Sequence, residues 1–596
     1  MNEFQPKLVL DSRIHDITDK IDVAVESSAA QSTYQNFKSV NNSNSSITFN
    51  VNVPSENIAV DRRVLMKTSI KFQVDITNVP EGETAFQWTT TDGLGQFPLN
   101  GLFQQVQATI NNVSVSVPLS DVMGPLLRLC DQTEVSKMNS SLTASYIDQN
   151  VSELANITEF SSNPLKGMKG VDYDGVIQPR GTLYPDSITC TRTVTAGDGT
   201  TTSSENNVST GATDTFEVRI QVTITEPFLF LSPFSGLVKS KDEACFLGIN
   251  NMNIVCNINQ DLGALYKTSN LDYTRTVSLG WSGGEAFLNP TLLMNFLTLQ
   301  PEQYASINTR NVLPIQDTPR YISTDSQTLP PVYDGGDNAF TFTFPVIQLN
   351  QIPDTLLIFV RPNKNTAQSV AGVIKPNYKY YCQSLYYEIV SASISFNNQS
   401  GILASCSAEQ LFNISKMNGS KQSYSDFTGG NSNTGQGATS LNGYSPSQGS
   451  ILVLKPSYNF NLPSYLSAGS LGQFGLQITL QCKNKSNQQF TSSDMVVIAV
   501  NSGLMVTQQG SSSLYSGLLT KNMVLETKQT KPAIDSSTLS ALTGGSIQEA
   551  CHTGLKKVLK KHFGKQPSSG SGLSAGGLSA GGLSAGKQHN RLSKYT

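Results

Sequence analysis

The stretch Val390–Gly419 reads VSASISFNNQSGILASCSAEQLFNISKMNG and has the pattern of a strand, a turn and a short helix. Its start alternates between serine and apolar side chains, a period of two that predicts a strand with one buried face formed by Val390, Ala392, Ile394 and Phe396. Asn397-Asn398 then interrupts the strand, because asparagine tolerates turn conformations that β-branched residues resist. Ser407 and Gln410 have the spacing of a capping box, which predicts a helix that ends at Asn418-Gly419. The predicted buried stripe of this helix is Ala408, Leu411, Phe412 and Ser415.

A weaker version of this unit occurs earlier, at 106–130, as VQATINNVSVSVPLSDVMGPLLRLC. It has the same alternation and an Asn111-Asn112 turn, and because proline is favoured at the first helical position we expect a helix to begin near Pro125. In each half an apolar run also leads to a second alternating strand, at 227–233 and 252–258 in the first half and at 451–457 and 474–482 in the second. This repeated order predicts two β-domains of one architecture in tandem.

The 596-residue chain is long enough for several hydrophobic cores. The repeated order of elements, with the polar segments at both ends, divides it into four predicted parts. They are an N-terminal arm at 1–45, a first β-domain at 46–275, a second at 276–510, and a flexible basic tail at 511–596. Short strands, long polar loops and few helices predict an all-β fold of sandwiches rather than α/β units. We expect exposed loops at 191–215 and 420–449, and the last strands near Met495–Val500 and Leu504–Val506.

Charge is unevenly distributed along the chain. Only 14% of the residues are charged and the net charge is −3, which excludes a generic nucleic-acid binder. Of the 41 basic residues, eight lie between 551 and 596, where no acidic residue occurs. The rest of the chain therefore has 33 basic against 44 acidic residues, so an acidic body, with a net charge of −11, precedes a basic tail.

The tail contains an amphipathic segment at 547–563, which predicts a short C-terminal helix. One face of this helix would consist of Leu555, Val558, Leu559 and Phe563. The other face, and the residue two positions after the helix, would present a nucleic-acid-facing or membrane-facing set of lysines: Lys556, Lys557, Lys560, Lys561 and Lys565. The alternative is a solvated helix packed back on its own body. Three consecutive GLSAG repeats at 572–586 predict a flexible tract.

Catalytic chemistry finds little support in the sequence. The four histidines are His15, His552, His562 and His589, so the β body contains none, which excludes a histidine base, a charge-relay triad or a histidine-ligated metal there. The sequence GWSGG at 280–284 matches a nucleophile-elbow pattern, but it lacks a partner histidine and an α/β context, so we expect a strand end that turns into a glycine loop. A glycosidase with paired carboxylates has no located pair. We therefore predict no enzyme, no catalytic residue and no cofactor.

Metal and redox chemistry are predicted to be absent as well. Asp172–Gly175 and Asp334–Asn338 offer carboxylate oxygens for Ca²⁺, but neither has the full spacing of a calcium loop. The eight cysteines include no CxxC pair, and several lie on predicted strands as small buried side chains. The polar start of the chain is unlike a secretory signal, and no apolar run reaches transmembrane length. We expect a protein made inside the cell, with reduced thiols.

With two tandem sandwiches, a strand, Asn turn and helix in each, large loops and a basic tail, the chain resembles a known family. It is similar to the double jelly-roll major capsid proteins of icosahedral double-stranded DNA viruses, such as adenovirus hexon and the virophage and Polinton-like virus capsid proteins. The resemblance is carried by the motifs at 393–419 and 449–484, covers roughly 46–510 and excludes the tail.

This resemblance implies two eight-stranded jelly rolls and a structural role in the virion. Three chains would form a pseudo-hexagonal trimer, since two similar domains per chain give six similar units. The loops at 131–215 and 420–449 would lie at the outer surface or between subunits. Implied partners are neighbouring capsomers, penton and minor capsid proteins and, through the tail, genome DNA, an internal membrane or a cementing protein. Gly576-Gly577 and Gly581-Gly582 also resemble sites of maturation cleavage, for which a plain linker is the alternative.

A second reading from another class remains open, namely a β-sandwich receptor-binding or glycan-binding protein such as a spike or lectin. A spike usually needs a trimerising shaft and a secreted adhesin needs a signal sequence, and neither is visible in the sequence. The major capsid protein, assembled inside the host cell and located in the virion, is the function that the sequence favours.

Overall fold

The computed structural model describes residues 30–130 and 185–517, together with two short strands near the N-terminus. Within these ranges it leaves out 56–57, 89–90, 212, 235–244, 269–274, 300–309, 330–338, 364–368, 371–372, 375–385, 430–448, 486–489 and 509.

The described part of the first half is built almost entirely from strands. They are β1 (Lys7–Leu8), β2 (Val23–Ala24), β3 (Ala30–Lys38), β4 (Asn41–Asn42), β5 (Ser46–Asn52), β6 (Ile58–Val60), β7 (Leu65–Thr77), β8 (Asp92–Leu94), β9 (Phe103–Ile110), β10 (Val113–Val117), β11 (Ser187–Thr195), β12 (Thr201–Glu205), β13 (Thr215–Pro227), β14 (Asn251–Ile258), β15 (Tyr266–Thr268), β16 (Thr276–Trp281) and β17 (Phe287–Leu299). The helices are α1 (Pro98–Leu102), α2 (Leu119–Leu127) and a 3₁₀ turn at Leu262–Ala264.

The second half has the same character. Its strands are β18 (Arg310–Asp317), β19 (Arg320–Asp325), β20 (Ala339–Thr343), β21 (Ile347–Gln351), β22 (Thr355–Pro362), β23 (Ser369–Val370), β24 (Val373–Ile374), β25 (Glu388–Phe396), β26 (Gln399–Ile402), β27 (Leu452–Leu454), β28 (Leu471–Lys483), β29 (Ser493–Gln508) and β30 (Ser511–Ser516). Its helices are α3 (Ala408–Met417), α4 (Tyr424–Thr428) and α5 (Pro456–Asn459).

Strand pairing confirms two jelly rolls in tandem. The first half has one sheet with the order β3-β17-β7-β13 and a second with the order β5-β14-β9-β10. In the second half the corresponding orders are β18/β19-β29-β22-β27 and β20/β21-β28-β25-β26. Within each half, the eight strands or strand pairs in these orders can be numbered 1 to 8 along the chain. The two sheets then have the orders 1-8-3-6 and 2-7-4-5 in both halves. The first, larger sheet of the first half is extended by β6, β16 and the hairpin β11–β12.

Each half packs its two sheets around alternating apolar side chains. In β14 the buried residues are Met252, Ile254, Cys256 and Ile258, and in β28 they are Phe474, Leu476, Ile478, Leu480 and Cys482, as the alternation predicts. Burial raises the pKa of the Cys256 and Cys482 thiols well above the ordinary value, so both behave as small core side chains.

The two Asn turns use the same hydrogen bonds. Asn111 and Asn397 both have left-handed backbones, with φ of 52° and 51°. The N–H of Asn397 donates to the carbonyl of Gly475 at 2.8 Å, and its Oδ1 accepts from the N–H of Gly475 at 2.9 Å. Asn111 likewise donates to Asn251 and accepts from the N–H of Asn250, at 2.9 Å each. Each asparagine therefore ends a strand and also ties the turn to the strand beside it.

The helix after each turn confirms one prediction and corrects another. Ser407 and Gln410 form the predicted capping box of α3, with Leu411, Phe412 and Ser415 buried, whereas Ala408 is only half-buried. In the first half the prediction was wrong, because α2 begins at Leu119 and contains Pro125 in its interior. Pro125 lies in the second turn, and it is buried among the apolar side chains of the helix.

The strand that opens this unit also differs from its prediction. Ile389 is buried and Val390 is half-buried, because a β-bulge between Ile389 and Ser391 shifts the alternation by one residue. From Ala392 onward the predicted pattern holds.

Two predicted loops and the predicted arm contain regular structure. The stretch at 191–215 is largely the hairpin β11–β12, closed by Asp198-Gly199, and it pairs with β13. Both faces of β12 are exposed, so its sequence has no alternation of apolar and polar residues that would predict a strand. Backbone pairing of the hairpin with the long strand β13 outweighed the polar composition. The loop predicted from 420 begins with α4, and β3 of the predicted arm is an edge strand paired with β17. The last two predicted strands are one strand, β29, which continues across Asn501–Gly503.

Strand pairing also changes where the two halves divide. β16 and β17 both pair with β7, so 276–299 belongs to the first jelly roll rather than to the second. At the other end, β30 pairs with β29 and extends the second jelly roll beyond 510. We therefore propose a division between 299 and 310 in place of the one expected at 275.

Replacing Asn397 by alanine is expected to lower the free energy of unfolding by about 1–2 kcal/mol, because alanine resists a positive φ and removes the bond to Gly475. Asn398→Ala, at the exposed neighbouring position without a positive φ, is the matched control and should change stability by less than about 0.5 kcal/mol. Urea unfolding followed by circular dichroism measures both, and equal effects of the two variants would contradict the role of Asn397.

Candidate functional site: the contact between the two jelly rolls

The sheet formed by β22, β27 and β29 is buried on both of its faces. Alternate residues such as Leu356, Ile358 and Val497 belong to the core of the second jelly roll. Their neighbours Leu357, Phe359 and others instead belong to the apolar cluster that includes the core of the first jelly roll. The second-half members of that shared cluster are Leu313, Ile315, Leu357, Phe359, Tyr386, Ile451, Val453, Val496, Ile498, Val500 and Met505.

This double burial explains the continuous apolar runs in the sequence. A sheet with one solvated face alternates apolar and polar residues, whereas a sheet covered on both faces requires apolar residues at every position. The runs are Leu356–Val360, Ile451–Leu454 and Met495–Val500, and all of their residues are at most 2% exposed. The second jelly roll therefore uses the first as the cover of its larger sheet.

An acidic side chain of α2 joins the two halves beside this apolar contact. The Asp121 carboxylate, from the first half, forms salt bridges with the guanidinium groups of Arg320 on β19 and Arg361 on β22. Asp121 is 6% exposed, Arg361 13% and Arg320 31%, so the cluster lies at the rim of the contact with one arginine open to solvent. Burial and, to a lesser extent, the nearby Arg361 charge lower the pKa of Arg320, which is still a cation at neutral pH.

The C-terminal end of α2 makes a second set of bonds to the second half. The Arg128 Nε lies 3.9 Å from the Asp426 carboxylate of α4, and both side chains are almost fully buried. The Arg128 carbonyl accepts a hydrogen bond from the N–H of Lys421 at 2.8 Å. Gly124 faces the Tyr386 hydroxyl so closely that a Cβ there would lie 2.7 Å from it, so a larger residue would force the Tyr386 side chain to move.

The other end of the contact is held by the β29–β30 hairpin. The Ser512 N–H donates to Asn112 Oδ1 at 2.7 Å, and Asn111 Nδ2 donates to Ser512 Oγ at 3.0 Å. The Thr507 hydroxyl donates to the Leu247 carbonyl at 2.7 Å. The first Asn turn is thus a direct partner of the second jelly roll, and bonds at both ends oppose rotation about the apolar centre.

The residues that sequence analysis selected as a site are not part of this contact. Lys556, Lys557, Lys560, Lys561 and Lys565 lie outside the described residues, as do both calcium candidates and all four histidines. The sequence at 280–284 is the end of β16 followed by a loop with positive φ at Gly283 and Gly284, as expected. In the described ranges, no three His, Cys, Asp or Glu side chains are grouped to hold a metal. None of the helices described is both long enough and apolar enough to span a membrane.

The ionic residues of the contact were missed by sequence analysis. Their one local signal is a charge beside an apolar run, as in Asp121 within PLSDVMGPLL and Arg361 after LLIFV. Because ordinary strand ends show the same pattern, only the three-dimensional pairing of α2 with β19 and β22 distinguishes these residues.

Replacing Asp121 by asparagine removes the carboxylate from two arginines and is expected to lower the free energy of unfolding by about 2–4 kcal/mol. The value lies toward the lower part of the range for buried pairs, because Arg320 is partly solvated. Glu217→Gln, which removes the partner of the exposed Arg219, is the control and should cost less than about 1 kcal/mol. Chemical denaturation of both variants checks the difference, and an Asp121 effect as small as the control would contradict a structural role for the cluster.

Comparisons with known proteins agree with this architecture. The family model for the first domain of the Sputnik virophage major capsid protein matches residues 2–297, and the model for the C-terminal domain of major capsid protein V20 matches 318–503. The chain is 25% identical over 534 residues to the putative capsid protein V20 of Sputnik virophage, covering 89% of this chain and 82% of that protein.

Solved structures show the same fold. A chain in the cryo-EM structure of the Sputnik virophage superposes with a TM-score of 0.68 at 22% identity, covering 89% of this chain and 97% of that one. The crystal structure of the mavirus major capsid protein gives a TM-score of 0.62 at 15% identity, with 89% and 99% covered. Since its relatives and both family models are structural capsid proteins, the chain is not an enzyme. It belongs to the double jelly-roll major capsid proteins and is a structural protein of the virion capsid.

Proposed function

We propose that this capsid protein forms homotrimers of pseudo-hexagonal outline that tile an icosahedral shell. The observation that carries the proposal is the equivalence of the two halves, whose sheets have the same strand order. Three copies of a chain with two similar units present six similar units around one axis, so a threefold assembly fills a hexagonal outline. Neighbouring capsomers, penton proteins and minor capsid proteins would then be the partners that contact the sides and the ends of this trimer.

The rigid contact between the halves supports this role. A subunit that packs in a regular shell needs a fixed orientation between its two domains. Two domains joined by a small polar interface would move relative to each other. Here the β22–β27–β29 sheet, the Asp121 cluster and the Ser512 bonds hold the two units in a single arrangement. The chain would therefore enter the assembly already shaped as one third of the capsomer.

Mass photometry of the full-length protein is expected to show a species with three times the 64.3-kDa mass of the chain. Negative-stain images of that species should have a hexagonal outline. A monomer that persists across salt and pH would contradict the proposal, and binding of that monomer to a glycan array would favour the receptor-binding alternative.

We also propose that the tail lysines Lys556, Lys557, Lys560, Lys561 and Lys565 bind phosphate groups on the inner side of the shell. The support is compositional, because the eight basic residues after 550 are accompanied by no acid while the rest of the chain is acidic. Genome DNA and the lipids of an internal membrane both present such phosphates, and a cementing protein would not.

Replacing these five lysines by glutamine should weaken binding of the full-length protein to duplex DNA and reduce the salt slope of log K by up to about 4–5, at roughly 0.9 per phosphate contact. The matched control replaces the same lysines by arginine and keeps the charge. Fluorescence anisotropy with DNA and sedimentation with anionic and neutral vesicles distinguish the two phosphate sources. Equal binding by the glutamine variant and the wild type to DNA and to anionic vesicles would contradict the proposal.

A further inference from the structure

The equivalent helices α2 and α3 differ in how much of their surface is covered. Both follow the Asn turn and the short strand of their jelly roll. Seven of the nine α2 residues are buried, whereas α3 buries only Leu411, Phe412 and Ser415 of its ten. The outer side of α3 is exposed at Glu409, Asn413, Lys416 and Met417, and Met417 is 86% exposed. We call these four residues the helix face.

The additional cover of α2 comes from the outer face of the larger sheet in the second half. That face supplies Arg320 from one neighbour of β29 and Arg361 from the other, and both bind Asp121 in the first turn of α2. The apolar residues of the same face complete the contact. The chain thus contains one example of a helix packed against a jelly-roll sheet.

The first half has an equivalent outer face, on β3, β17 and β7, and it is partly apolar and accessible. Tyr34 is 81% exposed, and Leu65, Leu293 and Leu297 point outward and are only half-buried. Together with Lys38 and Lys71 we call these residues the sheet face. Isolated antiparallel faces in water usually carry mainly polar side chains, so outward leucines here favour an additional cover.

Charge completes the correspondence between the two contacts. Lys38 lies on β3 and Lys71 on β7, the two neighbours of β17, as Arg320 and Arg361 lie on the two neighbours of β29. Lys71 and Arg361 also occupy similar places, because each lies beside the start of the central strand of its sheet. Lys71 follows Ile70, which pairs with Phe287 at the start of β17. Arg361 pairs with Asp494 at the start of β29. The first turn of α3 contains one acid, Glu409, where α2 has Asp121. Each helix therefore carries an acid in its first turn, and each sheet carries cations on both neighbours of its central strand. On the first-half sheet these cations include Lys67, which pairs with Thr291 opposite Lys38.

We propose that the helix face of one copy binds the sheet face of a second copy, with Glu409 between Lys38 and Lys71 and Met417 against the outward leucines. The contact repeats between chains the packing that α2 makes within the chain. It rests on the proposed trimer, in which first and second halves alternate around the ring, and it names the surfaces that join the copies. Within one chain the halves meet through α2, and between chains they meet through α3.

The test measures the trimer of the full-length protein by mass photometry over a range of concentrations. Glu409→Lys should lower the trimer fraction, shifting the midpoint of assembly at least tenfold to higher concentration. Lys38→Glu with Lys71→Glu should do the same, and combining all three substitutions should restore assembly because the charges are exchanged. Glu81→Lys, at an exposed acid of the first half, is the matched control and should assemble like the wild type.

Thermal unfolding of each variant checks that the fold is intact. A wild-type trimer that is unaffected by Glu409→Lys would overturn this contact and leave the trimer standing. Loss of assembly in Glu409→Lys without rescue by the exchanged charges would overturn the pairing with Lys38 and Lys71. A wild-type protein that stays monomeric would overturn the proposed trimer, and this contact with it.

Discussion

The arrangement of the molecule depends on one sheet that has no solvated face. The strands β22, β27 and β29 place one set of side chains into their own sandwich and the alternate set against the first jelly roll. Burying apolar area contributes about 25 cal/mol per Å², so separating the halves would expose a row of large apolar side chains at substantial cost. The relative position of the two domains, which in many chains depends on a small polar interface, is here part of the hydrophobic core.

Apolar burial by itself does not fix the relative orientation of the two jelly rolls. The polar contacts at the rim of the apolar contact fix that orientation. The Asp121 cluster lies at one side of the contact and the Ser512 bonds at the other. A carboxylate that loses its arginines in a partly buried site is costly, whereas an apolar side chain that slides by one position loses little. We attribute the fixed angle between the jelly rolls to these few bonds and the strength of their association to the sheet.

Much of the fold follows from local patterns that the sequence displays. The alternation in β14 and β28, the two Asn turns and the capping box of α3 depend on neighbours within a few residues, and their predictions were confirmed. The hairpin β11–β12 could not be predicted, because β12 is exposed on both faces and is held only through β11, which pairs with the long strand β13. Pro125 suggested a helix start, but the helix begins earlier because its buried face extends back to Leu119.

The ionic cluster at the contact illustrates the larger limit. Asp121 is separated from Arg320 and Arg361 by about two hundred residues or more, and no local spacing relates them. The division that we propose between the jelly rolls was not evident in the sequence for the same reason, since β17 pairs with β7 and β3, both more than two hundred residues away. The family resemblance predicted the architecture, but the residues that join the two jelly rolls could be identified only from the three-dimensional structure.

The doubly covered sheet has a consequence for synthesis of the chain. Every strand of the first jelly roll lies before residue 300, and every strand of the sheet that it covers lies after 309. Because domains generally fold as units, N-terminal first, while the ribosome works, the first jelly roll can be complete before the second emerges. The nascent β22, β27 and β29 can then pack against an apolar surface that has already formed, instead of remaining exposed to solvent. The order of the two domains along the chain thereby shields the continuous apolar strands of the second jelly roll while it folds.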